Sequence, residues 1–196
     1  MSEEYALEYS FDGQEAIERR DMLRISRVWA MPNKWTFTIP PIKSLLHEEV
    51  TGGTWCDPFA GKNSPASVTN DLREDMPADY HMDALAFLRT QGDASFDGVL
   101  FDPPYSITQA KTCYEGCGME QLEVKPTSMK YWASCKNEIA RILRDGGKVI
   151  CFGWNSMGLG KNRGFEMQRI LLVPHGGSKN DTIVTVERKL QVVEES

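Results

Sequence analysis

The sequence predicts an α/β domain, with helices on both faces of a mostly parallel sheet and an antiparallel hairpin closing it. Three observations predict it. Short apolar runs alternate with helix-patterned segments from residue 53 onward; four of the runs end at or near an aspartate; and the last two, FEMQRILLVPHG and DTIVTVERKL, are separated by the turn-rich GGSKN.

Taken in order, QEAIERRDMLRISR (14–27) fits a short helix. The stretch VWAMPNKWTFTIPPI is cut by Pro32, Pro40 and Pro41 into extended pieces and turns, and a second helix fits Ile42 to Glu49. GTWCDPFAG reads as strand and loop, SVTNDL as a strand ending in an acid, and ADYHMDALAFLRT as a strand running into a helix. FDGVLFDPPY is the next apolar strand, followed by a long polar loop, 106–128. MKYWASCKNEIARILRDGG has Ile139, Ile142 and Leu143 at helical spacing and is expected to stop on Gly146 and Gly147. KVICFGW is a buried strand, and the hairpin follows.

At 196 residues the chain suits one domain with its own core, expected over 28–190, with an acidic, helical extension at 1–27 and a tail at 191–196. No apolar stretch approaches the ~18 residues of a membrane span. The acidic N-terminus lacks the basic and apolar blocks of a secretory leader, so a cytoplasmic chain is expected. Five cysteines, Cys56, Cys113, Cys117, Cys135 and Cys151, then argue for reduced thiols. Cys113 and Cys117 have no second ligand pair at zinc spacing, and no metal is expected. The net charge of −6 opposes a long-range electrostatic trap for nucleic acid, so any such contact needs a local basic face.

In sheets of this type ligands lie beyond the carboxyl ends of the strands, at the point where strand order reverses. That rule selects Asp57, Asp71, Asp83 and Asp102, although one or two of them can instead be helix caps. In DPFAG (57–61), Pro58 stiffens the turn while Ala60 and Gly61 let the backbone approach a ligand. DPPY (102–105) follows 45 positions later, room for two βα units. Its prolines remove two backbone donors and leave acceptors facing outward.

With DPFAG and DPPY at the ends of successive central strands, the chain resembles the S-adenosylmethionine-dependent amino-methyltransferases, in particular those that modify the exocyclic amine of adenine in DNA. The string TNDL…ADYHMDALAFL is similar to small phage-encoded methylases. The resemblance covers roughly 28–190 and implies a Rossmann-like class I methyltransferase fold with a seven-stranded sheet. It implies that Asp102, Pro103, Pro104 and Tyr105 are catalytic, with Asp102 also near the cofactor. Asp57, Pro58, Phe59, Ala60 and Gly61 are implied to hold the methionine end. Asp71 and Leu72 are implied at the ribose, Asp83 and Ala84 at the adenine. Trp35, Thr36 and Phe37 belong to the segment that closes over the methionine end, where Trp35 and Phe37 either flank the sulfonium or are ordinary core aromatics. The chain departs from many relatives in reading DPFAGKNSPA, with Lys62 and Asn63 after the loop.

The implied chemistry has a physical basis. An exocyclic adenine amine is a poor nucleophile because its lone pair is delocalised into the ring. Acceptors such as the Asp102 carboxylate and the Pro103 carbonyl can hold it in line with the methyl group and favour the charge that develops on nitrogen. Tyr105 is then placed to stack on a base turned out of the duplex. Between the two motifs there is no room for a separate recognition domain. The loop 106–128 and the stretch 153–164 are expected on the active-site rim, with Lys161 and Arg163, or Lys111, Lys125 and Lys130, available to phosphate. Weak intrinsic DNA affinity, raised by a homodimer or a second subunit, is expected. The alternatives are an RNA amino-methyltransferase acting on adenine N6 or guanine N2, a cytosine-N4 enzyme, and a non-catalytic cofactor-binding subunit.

Overall fold

The computed structural model describes residues 22–105, 110, 129–177 and 179–191. Seven strands form one sheet: β1 (Arg24–Arg27), β2 (Trp55–Asp57), β3 (Val68–Thr69), β4 (Phe96–Phe101), β5 (Leu143–Gly153), β6 (Phe165–Val173) and β7 (Thr182–Lys189). Their spatial order is β1-β6-β7-β5-β4-β2-β3. Only β7 is antiparallel to its neighbours β5 and β6. The expected parallel sheet with a terminal hairpin is therefore present. Helices α1 (Pro40–Glu49), α2 (Ala84–Thr90) and α3 (Met129–Ile142) cover it. No helix among the described residues is long and apolar enough to cross a membrane.

The two faces bury separate cores, as strand alternation requires. Val99 and Phe101 of β4 pack with Leu85, Phe87 and Leu88 of α2 and with Ile139 and Ile142 of α3. Leu100, between them in sequence, packs on the opposite face with Ile42, Leu45 and Leu46 of α1. After β2 the chain moves outward to β3 and then returns to form β4 on the other side of β2. The reversal of strand order therefore falls between β2 and β4.

Three local expectations are corrected. Residues 24–27, expected to be helical, form β1, because the edge of β6 offers them a parallel partner, Arg24 pairing with Arg169 and Arg27 with Leu172. The sheet thus begins before the boundary placed at 28; residues 14–21 lie outside the described residues. Pro40 and Pro41 do not break the chain but open α1, where the first helical N–H groups have no partner to lose. Gly146 and Gly147 do not close α3. The helix ends at Ile142, and both glycines lie in β5 beside a register shift between Phe96 and Gly98. A Cβ on Gly147 would stand 2.8 Å from the Arg144 carbonyl oxygen, so the irregular strand, and not a helix cap, requires glycine there.

Candidate active site

Trp55 lies level with Gly98 and Cys56 with Val99, so Asp57 ends β2 level with Leu100 and Asp102 follows two residues further along, both at the carboxyl ends of neighbouring strands. A cavity of ≈ 350 Å³ opens there. The turn after β2 contributes Pro58, Phe59 and Gly61 to its lining, and all of Asp102, Pro103, Pro104 and Tyr105 line it from the turn after β4. Trp35 and Thr36, Asp71 and Leu72, and Ala84 complete the set of expected residues around it. The two motifs therefore face one cleft.

The turn after β2 is held by acids that hydrogen-bond its backbone. Asp57 is fully buried, and its carboxylate accepts from the Phe59 N–H at 2.8 Å and the Ser64 hydroxyl at 2.6 Å. Burial pushes its pKa up to about 7, and the nearby Asp102 and Asp71 charges push the same way against those two hydrogen bonds. Asp71 accepts from the Gly61 N–H at 2.9 Å and from its neighbour Arg73 N–H at 2.9 Å while lining the cavity. Ala60, whose N–H bonds the Asn70 carbonyl at 2.9 Å, is buried behind the turn. Gly61 has φ +55°, and a Cβ there would touch the Trp35 ring at 3.4 Å. The small residue is required twice over, by the left-handed backbone and by the close aromatic.

Asp102 sits one residue past β4. The Tyr105 hydroxyl donates to its Oδ1, and the Thr36 hydroxyl supplies a second hydrogen bond. Burial raises the Asp102 pKa to about 6, and these two bonds hold it from going higher. Burial, together with the Asp102 charge, pushes the Tyr105 phenol well above its ordinary range. The Tyr105 ring meets Trp154 edge-on at 5.8 Å between centroids. The carboxylate is thus presented to the cleft by a phenol, a threonine and a rigid Pro-Pro turn.

Some expected residues take other places. Asp83 is not among the residues lining the cavity. It caps α2, accepting from the Ala86 N–H at 3.0 Å, and takes the Tyr131 hydroxyl at 2.7 Å. Phe37 is a buried core aromatic against Phe152, 5.1 Å between centroids, and it also borders a smaller chamber of ≈ 130 Å³ beside Asp102. Trp35 carries the ammonium groups of Lys34 and Lys62 over its ring, at 5.1 and 5.6 Å.

The expected basic cluster at Lys161 and Arg163 is not on this rim. Because β5 and β6 are both antiparallel to β7, they run the same way; β5 ends at Gly153 beside the cleft, whereas β6 starts at the far end of the sheet, with Phe165 opposite Lys189. Residues 154–164 therefore cross from one end to the other, and Arg163 is engaged by Asn137 Oδ1 at 2.8 Å and the Leu159 carbonyl at 3.0 Å. Lys130 is exposed in the first turn of α3, at the cleft end. Lys111, Lys125, Cys113, Cys117 and the 106–128 loop lie outside the described residues except Ala110, which is buried. Cys56, Cys135 and Cys151 are buried free thiols, and burial holds the last two up at about 12.

Three residues lining the cavity were not anticipated. Arg73, Met76 and Met82 line the cavity, and nothing in their spacing marks them. Trp154, in the stretch 153–164 expected on the rim, follows β5 and stands against Tyr105.

No protein-family model and no curated protein matches the sequence. Among solved structures, the 1,6-didemethyltoxoflavin-N1-methyltransferase of Burkholderia thailandensis, solved with 1,6-didemethyltoxoflavin and S-adenosylhomocysteine bound, is similar at 15% identity and a TM-score of 0.54 over 77% of each chain. TrmN from Thermus thermophilus is similar at 19% identity and a TM-score of 0.48, over 78% of this chain and 49% of its own, so the chain spans about half that protein's length. Strand order, strand direction and the first of these likenesses together give the chain a Rossmann-like methyltransferase fold.

Proposed function

We propose that the protein transfers a methyl group from S-adenosylmethionine to the exocyclic N6 amine of adenine in DNA. The observation that carries the reading is the shared cleft: the turns 57–61 and 102–105 line one cavity, with the half-buried Asp102 carboxylate on its wall. The lining fits the cofactor's chemistry. Leu72, Met76, Met82 and Ala84 offer apolar contacts to a purine, and Asp71 is an acid at ribose position after β3. When bound, the cofactor supplies an electrophilic methyl on a sulfonium.

The chain's own residues do the rest. Asp102 accepts a proton-bearing edge of the amine, and the Pro103 carbonyl offers a second acceptor. Both keep the nitrogen lone pair pointed at the methyl group and favour positive charge on nitrogen as the new bond forms. Tyr105 and Trp154 provide an aromatic wall for the ring that bears the amine. In this role the Tyr105 hydroxyl hands its place on Asp102 to the incoming amine.

Methyl incorporation into duplex DNA, single-stranded DNA and RNA, followed by nucleoside analysis, tests the reading. N6-methyladenine in DNA is the expected product. Label confined to RNA, or appearing as N4-methylcytosine, would reject the substrate while keeping the chemistry; no label in any nucleic acid would reject both.

A further inference from the structure

A chain with a net charge of −6 needs a local basic face to hold a nucleic acid, and the one expected at Lys161 and Arg163 lies away from the cleft. The mouth of the cleft supplies another. Residues 28–47 and 58–70, which reach it from the α1 side and from the turn after β2, hold no acid at all, although Asp and Glu make up 28 of the 196 residues. They carry Lys34, Lys43 and Lys62, all exposed. Lys34 and Lys43 make no ion pair among the described residues. Lys62 acts on Asp75, an acid that Arg73 already holds at 2.6 Å. Across the mouth, after β3, the sign reverses: residues 71–79 contain Asp71, Glu74, Asp75 and Asp79 and a single cation, Arg73.

The surface joins the three lysines. Lys34 and Lys62 border the smaller chamber, which meets the cleft at Asp102. That chamber shares Phe37 and Asn63 with a groove of ≈ 470 Å³ between α1 and residues 63–65, and Lys43 borders the groove. A continuous furrow therefore leads from Asp102 past three exposed ammonium groups. A strand whose base occupies the cleft must carry its neighbouring phosphates out over the mouth, where the α1 side attracts them and the acids after β3 repel them. We infer that Lys34, Lys43 and Lys62 seat the phosphodiester backbone that flanks the target adenine, so that the DNA crosses the mouth on the α1 side. Phosphate contacts position a strand without reading its bases, so this seat fixes how the target strand lies and leaves the choice of sequence to other residues. The inference deepens the proposed function and rests on it for the identity of the polyanion.

Salt dependence tests the seat. The affinity of a fluorescein-labelled DNA duplex is read by anisotropy over a range of salt concentrations, alongside tritiated-methyl transfer and calorimetric titration of S-adenosylhomocysteine. The proteins compared are the wild type, Lys34→Gln/Lys43→Gln/Lys62→Gln, Lys43→Gln alone, and Lys161→Gln, a charge control on the turn that leads into the far end of β6. In the triple variant, duplex affinity at about 0.1 M salt is expected to fall about tenfold or more, and the slope of log affinity against log salt to become shallower by about 2 to 3. Its S-adenosylhomocysteine affinity should be kept, which also shows that it has folded. Lys43→Gln, the change farthest from the cofactor turn, should remove about 1 from the slope, and Lys161→Gln should match the wild type. An unchanged slope in the triple variant, or an equal loss in Lys161→Gln, would overturn the seat. Weakened S-adenosylhomocysteine binding in the triple variant with no loss on Lys43→Gln would also overturn it and assign the lysines to the cofactor. No methyl transfer to DNA by the wild type, with duplex binding still weakened in the variants, would strike the proposed function and keep the seat.

Discussion

On the proposed function two demands meet at Asp102: the carboxylate must be ionised to accept from an amine, and desolvation in the fold favours the proton. With its pKa raised to about 6, methyl transfer is expected to fall as the pH drops through that value. Tyr105→Phe removes a hydrogen bond that favours the ionised form, so the acid limb should move to higher pH, read by tritiated-methyl transfer between about pH 5 and 8 with saturating cofactor. The limb is read with DNA well below saturation, so that it reports Asp102 before the phenol yields its place to the amine, and a limb that stays put would contradict the phenol's hold on this carboxylate. Asp102→Ala should abolish transfer and spare S-adenosylhomocysteine binding; retained turnover would refute the mechanism. Asp57 carries a different consequence. Its ordinary pKa of 3.8 rises to about 7 in the fold, so between these values the folded chain holds a proton that the unfolded chain releases. Stability from this group is full below about pH 4 and declines as the pH rises through about 7. Asp57→Asn keeps an acceptor for the Phe59 N–H and removes that titration. The variant's urea midpoint should gain on the wild type at about pH 8 relative to about pH 5, and a constant difference between the two would contradict the assignment.

At the scale of elements, β2 and β4 matter most because their register aims both turns at one point. Trp55 of β2 lies across Gly98 of β4, where a Cβ would stand 2.3 Å from the indole. Gly98→Ala is therefore expected to cost about 1–3 kcal/mol in denaturant unfolding, and to lower activity by displacing the turn after β4. The turn after β2 makes a parallel demand. Gly61→Leu places a side chain in left-handed backbone against Trp35, so weaker S-adenosylhomocysteine binding by calorimetry is expected, and an unaltered affinity would remove this turn from the cofactor site. Both strands were legible because each is an apolar run ending in Asp-Pro. The edge strand β1 was not, since four residues of mixed polarity carry no period of their own and owe their form to the neighbouring strand. The end of α3 was missed for a related reason: a glycine pair reads as a stop, but here the chain needs it in a bulged strand.

Across the whole molecule, one acid ties the β1 edge of the sheet to its centre. Glu49, the last residue of α1, is buried, and it pairs with Lys148 of β5 at 2.8 Å, Arg24 of β1 at 3.2 Å and Arg169 of β6 at 3.4 Å. Burial alone would raise its pKa, but Lys148 and Arg169 outweigh it and hold the carboxyl below its ordinary value. Glu49→Ala strands partly buried cations and is expected to cost about 3 kcal/mol in urea unfolding, the low end for breaking a buried pair. The amino-acid order by itself determined the strand-and-helix alternation, the hairpin and the two Asp-Pro turns, because period, turn residues and prolines act through neighbours in the chain. It also determined, through the strand-end rule, that acids and aromatics would collect at one edge. Only the tertiary structure decided which of those acids face the cleft and which cap a helix, where Lys161 and Arg163 go, and that Lys34 and Lys62 meet at Trp35. Those outcomes depend on strand direction, register and the packing of segments far apart in sequence, and no local pattern encodes where a side chain ends once the sheet has closed around it.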